Sequence, residues 1–292
     1  MRITQSMMTR QTIQRVFINR DIMYQTHERI STGKKVNRPS DDATAYARIA
    51  RYEKSYQRNL QYLSNVQYSR NWVNETSVAL DKLQDYASQA KAIALKAVDA
   101  SNDDDSRQVY ARQLRGILEE SVSTVNAKYL DKSLFAGTNT KNSTPFVLND
   151  LTVTYTGNDE KIKRRLAEDM VSEINTTGQR VMDTGFFQAM ETMITALEAN
   201  DIPAIEDTID DMQTAYDAVL NLSGEVGSFH NSLSLIENRL KDANMKLEEY
   251  LADDQDVVLE EEFVRLESEQ TAYQAAMQSA AKIMRLNILN YM

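Results

Sequence analysis

Apolar residues recur along most of this chain at alternating spacings of three and four, the period of helices that bury one face. Residues 4–30 place Ile13, Val16, Arg20, Met23, His27 and Ile30 on such a stripe and contain neither Gly nor Pro. A helix is predicted there, with polar interruptions at Arg20 and His27. Gly33 falls where a C-terminal cap belongs, because glycine enters the left-handed region without a Cβ penalty. A short polar linker through Asn37 then ends at Pro39. Ser40 is the expected N-cap of the next helix, with Asp41 and Asp42 placing negative charge on its first turn.

From residue 40 to 115 there is again no Gly or Pro. Ile49, Tyr52, Tyr56, Leu63, Val66, Val73, Leu80, Leu83, Ala87, Ala90, Ala94 and Ala97 keep a near-heptad repeat, which predicts one very long helix ending near Ala100. Ser101, Asn102 and Asp103 to Asp105 read as a turn and a fresh N-terminus. A third helix should run to about Tyr129 along Leu114, Leu118, Val122 and Val125. The period then changes, and Gly137, Pro145, Gly157, Gly178 and Gly185 punctuate a segment with grouped β-formers. Leu151 to Tyr155 alternates as a strand, Gly157-Asn158-Asp159 is suited to a turn, and Lys161-Ile162-Lys163 is positioned to return as the second arm of a hairpin. Two shorter helices are expected near 186–199 and 203–222, the second with Pro203 in its first turn.

The strongest pattern is C-terminal, where Leu233, Ile236, Leu240, Ala243, Leu247 and Tyr250 form a coiled-coil seam. Asp253-Asp254-Gln255-Asp256 interrupts it. Leu259, Phe263, Leu266, Gln270, Tyr273, Met277, Ala280 and Met284 then resume the spacing, and Ile283, Leu286, Ile288 and Leu289 make the end apolar on more than one face. The fold class implied is mainly α. Both chain ends form a long antiparallel helical bundle or coiled coil, enclosing a small mixed or β-containing insertion.

Composition sharpens this picture, since 8 Gly and 3 Pro in 292 residues leave helices unbroken. The net charge of -10 is unevenly placed: residues 1–70 hold 13 Lys/Arg and 5 Asp/Glu, whereas residues 198–292 hold 6 and 20. Opposite signs favour pairing of the two ends, although each exposed ion pair contributes only about 0–1 kcal/mol. The acidic remainder disfavours nucleic acid as a partner. No run reaches the roughly 18 apolar residues of a membrane span, and arginines scattered through the first thirty residues leave no signal-peptide core, so a protein that leaves the cell would do so without a cleaved signal.

Catalytic and metal chemistry has little to build on. Cysteine is absent, and the two histidines, His27 and His230, stand alone in helical patterns. There is no glycine-rich phosphate loop, and the carboxylate runs at 253–256 and 260–262 lack the alternating oxygen ligands of a calcium loop. Neither an enzyme nor a cofactor is expected. The tyrosines and arginines between residues 51 and 70 read as packing on or beside the seam, and Trp72 as a packing anchor.

At Ser31-Thr32-Gly33-Lys34-Lys35-Val36-Asn37-Arg38-Pro39-Ser40-Asp41-Asp42-Ala43 the chain resembles the N-terminal signature of bacterial flagellins and flagellin-like axial proteins. Its C-terminal stretches Gln270 to Ala276 and Ala281 to Met292 are similar to the hook–filament junction branch of that family. The resemblance covers about the first 135 and last 75 residues. It implies terminal helices 1–42 and 259–292 lining an inner tube and disordered in the free monomer. Helices 43–133 and 215–258 would form a rod, and 134–214 an outward-facing variable domain. It also implies a secreted adapter in the extracellular flagellum, exported through the flagellar channel. Its partners would be a neighbouring hook-associated junction protein, flagellin, copies of itself in a ring or short tube, and an export chaperone, with no nucleic acid and no membrane insertion. Gly33, Asn37, Pro39, Ser40, Asp41 and Asp42 are the candidate linker motif. Ile13, Val16, Met23, Ile30, Leu259, Phe263, Leu266, Tyr273, Met277, Ala280, Ile283, Met284 and Ile288 are the candidate assembly residues. A short flagellin and a cytoplasmic coiled-coil adaptor are the alternative readings.

Overall fold

The computed structural model describes residues 5–99, 103–142 and 144–289, with the side chains of residues 5–6 and 284–289 outside the description. The expected helix end at Ala100 and the turn residues Ser101 and Asn102 also lie outside it. In chain order the elements are α1 (Gln5–Thr32), α2 (Ala43–Ala97), α3 (Asp104–Val125), β1 (Lys128–Tyr129), β2 (Lys132–Ser133), β3 (Phe146–Asn149), β4 (Thr152–Tyr155), β5 (Lys163–Ala167), β6 (Met170–Glu173), α4 (Gly178–Met182), α5 (Phe186–Glu198), α6 (Ile202–Gln255) and α7 (Leu259–Leu289). The fold is the mainly helical one expected, with small antiparallel strand pairs in its middle. Two compact units form, Met1–Arg58 with Ala243–Met292, and Asn59–Asp242. The helices α2 and α6 contribute residues to both.

The Asn59–Asp242 unit shows why the long helices are stable. Tyr62, Val66, Ser69, Val73, Thr76, Leu80, Leu83, Ala87, Ala90, Ala94 and Ala97 are buried on α2 at strict four–three spacing. On α6 the answering set runs Ile205, Thr208, Met212, Ala215, Val219, Leu222, Val226 and Leu233. Burial rather than propensity carries helices of this length. The two run antiparallel here: Arg70 Nη1 meets Glu237 Oε2 at 2.5 Å, Ser223 Oγ donates to Asp81 Oδ1 at 2.7 Å, and the Lys91 ammonium lies 5.3 Å from the Tyr216 ring centre. Lys241 meets the other oxygen of the buried Glu237 carboxylate at 2.6 Å, so this charge is paired on both sides.

Four expectations are corrected in this unit. The helix expected over 203–222 does not end there, because α6 continues through Gly224 and Gly227. Each glycine costs about 1 kcal/mol in a helix, but the buried seam keeps its phase on both sides of them, and that burial outweighs the cost. Next, α3 stops at Val125 instead of reaching Tyr129. The Asn126 side chain binds both polar groups of the Phe146 backbone, at 2.8 and 3.0 Å, and fixes the chain as it leaves the helix. Tyr129 therefore sits in β1, which returns through Leu130 and Asp131 at positive φ to pair with β2.

The strand at 152–155 is present, but its partner lies upstream. β4 pairs with β3 through a two-residue turn in which Asp150 adopts φ 59. Gly157 and Asn158 do not make the hairpin turn: Asn158 N–H donates to the Ala136 carbonyl, and its side chain accepts from Thr138 N–H, pinning the strand exit to the Gly137 bend. Lys163 instead opens β5, which pairs with β6. The insertion thus consists of separate hairpins tied to the helices.

Trp72 anchors this unit. It is 1% exposed and meets the rings of Tyr68 and Tyr129 at 6.3 and 6.2 Å. Trp72→Ala should destabilise the unit by about 3–5 kcal/mol, seen as a lower denaturant midpoint. An unchanged midpoint would show that the indole is not structural.

Candidate assembly interface

In the other unit both helical runs break, and the breaks complete each other. α1 ends beside Gly33, whose φ of 70 is the left-handed conformation that glycine adopts without penalty. α6 ends at Gln255 and α7 begins at Leu259. Lys35 N–H donates to the Gln255 carbonyl at 2.7 Å and Val257 N–H to the Gly33 carbonyl at 3.1 Å, flanking an antiparallel bridge between Lys34 and Asp256. The Lys35 ammonium donates to the Asp253 carbonyl. Helix ends leave backbone groups unpaired, and here each break supplies partners for the other.

The linker motif is built around two carboxylates. Asp41 accepts from the N–H groups of Asn37 and Arg38 at 3.0 and 2.9 Å, folding the linker back on itself. Those two bonds hold its carboxyl below the ordinary carboxylate range. Pro39 and Ser40 occupy the turn closed by Asp41 N–H donating to the Arg38 carbonyl. Ser40 is consequently not the N-cap. Asp42 is, accepting from the N–H groups of Thr44 and Ala45 at 2.8 and 2.9 Å, while its carbonyl accepts the first helical bond from Tyr46. The turn consumes Ser40, and Asp42 is the next acceptor in reach of the open N–H groups. Val36, which sequence reasoning passed over, is buried with Ala45 and Ile49 and packed by Leu251. Its apolar side chain in a polar linker was the available signal.

Opposite charge at the chain ends has a concrete form here. Arg48 binds Asp254 through two hydrogen bonds of 2.8 and 2.9 Å, which depress the Asp254 pKa. Tyr56 donates to Glu248 at 2.6 Å, and Tyr52 meets Tyr250 at 5.6 Å.

α1 and α7 pack antiparallel, with Arg29 3.9 Å from Glu262 near the breaks. Of the candidate assembly residues, Ile13, Val16, Met23 and Ile30 are half-buried on α1. Thr26, not His27, is the buried position among them. On α7 the covered face is Glu262, Leu266, Glu269, Tyr273, Ala276, Ala280 and Ile283. Leu266, Tyr273, Ala280 and Ile283 are therefore on it, but Leu259, Phe263 and Met277 are exposed. The side chains of Met284 and Ile288 lie outside the described residues. On α1, Phe17, Ile18 and Ile22 are exposed as well.

The α1–α7 face is also poorly satisfied. Glu262 Oε1 meets Arg29 and Arg265, yet Glu262 Oε2 and Glu269 Oε2 are enclosed without a hydrogen-bond partner. An enclosed polar atom without a partner costs about 1–3 kcal/mol. The pair thus covers charged positions while leaving Phe263 at 54% and Val264 at 69% exposure. Among the described residues no group of three or more His, Cys, Asp or Glu is placed to hold a metal ion, and no helix is long and apolar enough to cross a membrane.

Residues 3–140 match the family of the bacterial flagellin N-terminal helical region. The chain is 23% identical to flagellar hook-associated protein 3 of Salmonella typhimurium, over 82% of this chain and 83% of that protein. It is 21% identical to flagellar hook-associated protein 3 of Escherichia coli, over 99% and 98%. Among solved structures, a putative flagellar hook-associated protein from Vibrio parahaemolyticus is 20% identical with a TM-score of 0.67, covering 74% of this chain and all of that one. Bacillus cereus FlgL is 19% identical with a TM-score of 0.61, covering 69% and 99%. The structural likeness is one of fold.

The linker geometry predicts a pH response. Asp41 and Asp254 both have depressed pKa values, so their ionised forms stabilise the folded linker above the ordinary carboxylate range near 4. That contribution is lost as pH falls through their lower folded values. The amide resonances of Asn37 and Arg38 should hold steady from neutral pH to about 5 and move below about 4. Resonances that do not respond to acid would contradict the carboxylate anchor.

Proposed function

We infer that this chain, a homologue of flagellar hook-associated protein 3, is a structural subunit of the bacterial flagellum that joins hook to filament. The observation that carries the reading is the terminal helix pair. It is held in register by two interlocked breaks, and it presents apolar side chains that its own partner helix does not cover. Hook-associated relatives that align with most of this chain favour a junction subunit over a short flagellin or a cytoplasmic adaptor.

On this reading, residues 1–42 and 259–292 line the inner tube, 43–133 and 215–258 form the surrounding rod, and 134–214 face outward. The boundary at 214 is one of role, since α6 runs through it. The chain associates with other flagellar axial proteins: a neighbouring hook-associated protein below, flagellin above, and copies of itself around the tube. Leu259, Phe263 and Met277, exposed in the single chain, would be covered by these neighbours. The half-buried Ile13, Val16, Met23, Ile30, Leu266 and Tyr273 hold α1 to α7. The work is structural, and the place is the extracellular flagellum, reached through the flagellar export channel with an export chaperone on the C-terminal helix. An incompletely covered pair would remain mobile in the free subunit and become ordered on assembly, because coupled folding supplies the missing apolar partner.

Deleting the gene should leave hooks without filaments and release flagellin as monomer, since the junction is needed in few copies but at every filament base. Electron microscopy of the cells and analysis of the medium read both effects. Normal filaments on the deletion strain would reject the junction role.

A further inference from the structure

In the Asn59–Asp242 unit, one end carries cations that no carboxylate among the described residues pairs with, and the opposite end carries carboxylates. Tyr68 on α2 is held by ring contacts with Trp72 and Tyr129. The Arg164 guanidinium of β5 lies 4.0 Å from the centre of the Tyr68 ring, and the Lys132 ammonium of β2 lies 5.9 Å from it. Among the described residues neither cation has an ion-pair partner within 4.0 Å, although acidic residues are frequent in this chain. A guanidinium stacked on an aromatic ring is fixed in plane, and its free N–H edge suits a planar carboxylate. Leu130 and Val171, 68% and 54% exposed, lie on the β1–β2 turn and on β6, in the same two hairpins.

At the far end Asp103 caps α3 and is followed by Asp104 and Asp105, all exposed. Arg107 Nη1 donates to Asn200 Oδ1 at 2.7 Å, which brings the α5–α6 turn with Asp201, and the start of α6 with Glu206 and Asp207, to the same end. Between Tyr68 and the end of α2 at Ala97 the helix runs about 44 Å at 1.5 Å per residue. One chain therefore cannot bring its own acidic end to its own basic cluster.

We propose that the Lys132–Tyr68–Arg164 cluster is a docking surface for the acidic α3 end, Asp103 to Asp105, of a second copy of this chain, arranged head to tail. Such a contact is heterologous and repeats from copy to copy. Exposed ion pairs are weak singly, so the contact is transient between free chains and is reinforced where copies are arrayed, as in the junction reading on which this inference rests.

The absence of cysteine makes a direct test possible. Full-length Lys132→Cys and Asp104→Cys chains, both altered at exposed positions, are mixed at low salt under mild oxidation. A disulfide-linked heterodimer should form several-fold faster than in a mixture of Lys132→Cys with Glu119→Cys, which places the thiol in the C-terminal half of α3, away from its acidic end. The excess should disappear at about 1 M salt, where the screening length is about 3 Å. Equal yields in the two mixtures, or an excess insensitive to salt, would overturn the proposal. In cells, Arg164→Glu should reduce filament attachment, and adding Asp104→Arg to the same chain should restore it. Loss without restoration would overturn a second copy as the partner. If the heterodimer forms but the deletion strain keeps its filaments, the junction reading fails and the docking surface stands. If filaments are lost on deletion but no excess heterodimer forms, the surface fails and the junction reading stands.

Discussion

A helix can bury against one partner only the stripe that faces it, and the two terminal helices of this chain carry more apolar surface than one partner covers. In the α1–α7 pair Met23, Thr26, Leu266, Glu269 and Tyr273 are covered, while Phe17, Ile18, Phe263 and Met277 remain exposed. Two enclosed carboxylate oxygens without partners further weaken the contact. The α2–α6 seam shows the opposite balance, with consecutive seam positions buried and its one deeply buried carboxylate, Glu237, met by two cations. One part of the molecule is complete within a single chain. The other leaves apolar side chains that the single chain does not cover.

The interlocked breaks make that difference usable. Because Val257 N–H bonds the Gly33 carbonyl, and Lys35 N–H the Gln255 carbonyl, the α1–α2 break and the α6–α7 break are joined to each other. The Arg48–Asp254 bidentate contact and the folded Asp41 turn then hold the linker from the α2 side. Most of these bonds involve backbone groups at helix ends that would otherwise lack partners, so the cost of interrupting two long helices is largely offset where it arises.

Much of this architecture was legible in the residue pattern. The heptad runs on α2 and α6, the break after Gly33 and the recap before Ala43 each follow from local rules that the structure obeys. The differences have identifiable causes. Ser40 and Asp42 are both good caps, and only the turn closed at Asp41 decides between them. The β3–β4 hairpin was hidden because its turn uses Asp150 at positive φ where a glycine would have signalled it, while Gly157 serves a different bend. On α7 the apolar stripe coincides only in part with the face that is covered within the chain. Glu262 and Ala276 lie inward, as does Glu269, and Phe263 and Met277, one position after the first two, lie outward. That departure is itself informative about assembly, since sequence periodicity reports where apolar surface must finally be buried, not which molecule buries it.

Amide hydrogen exchange on the purified free chain addresses the incompleteness of the terminal pair most directly. Residues 5–32 and 259–283 should exchange much faster than residues 60–95, and Glu269→Leu, which removes one enclosed carboxylate, should slow exchange in both terminal helices. Protection of the unaltered termini equal to that of residues 60–95 would contradict the account.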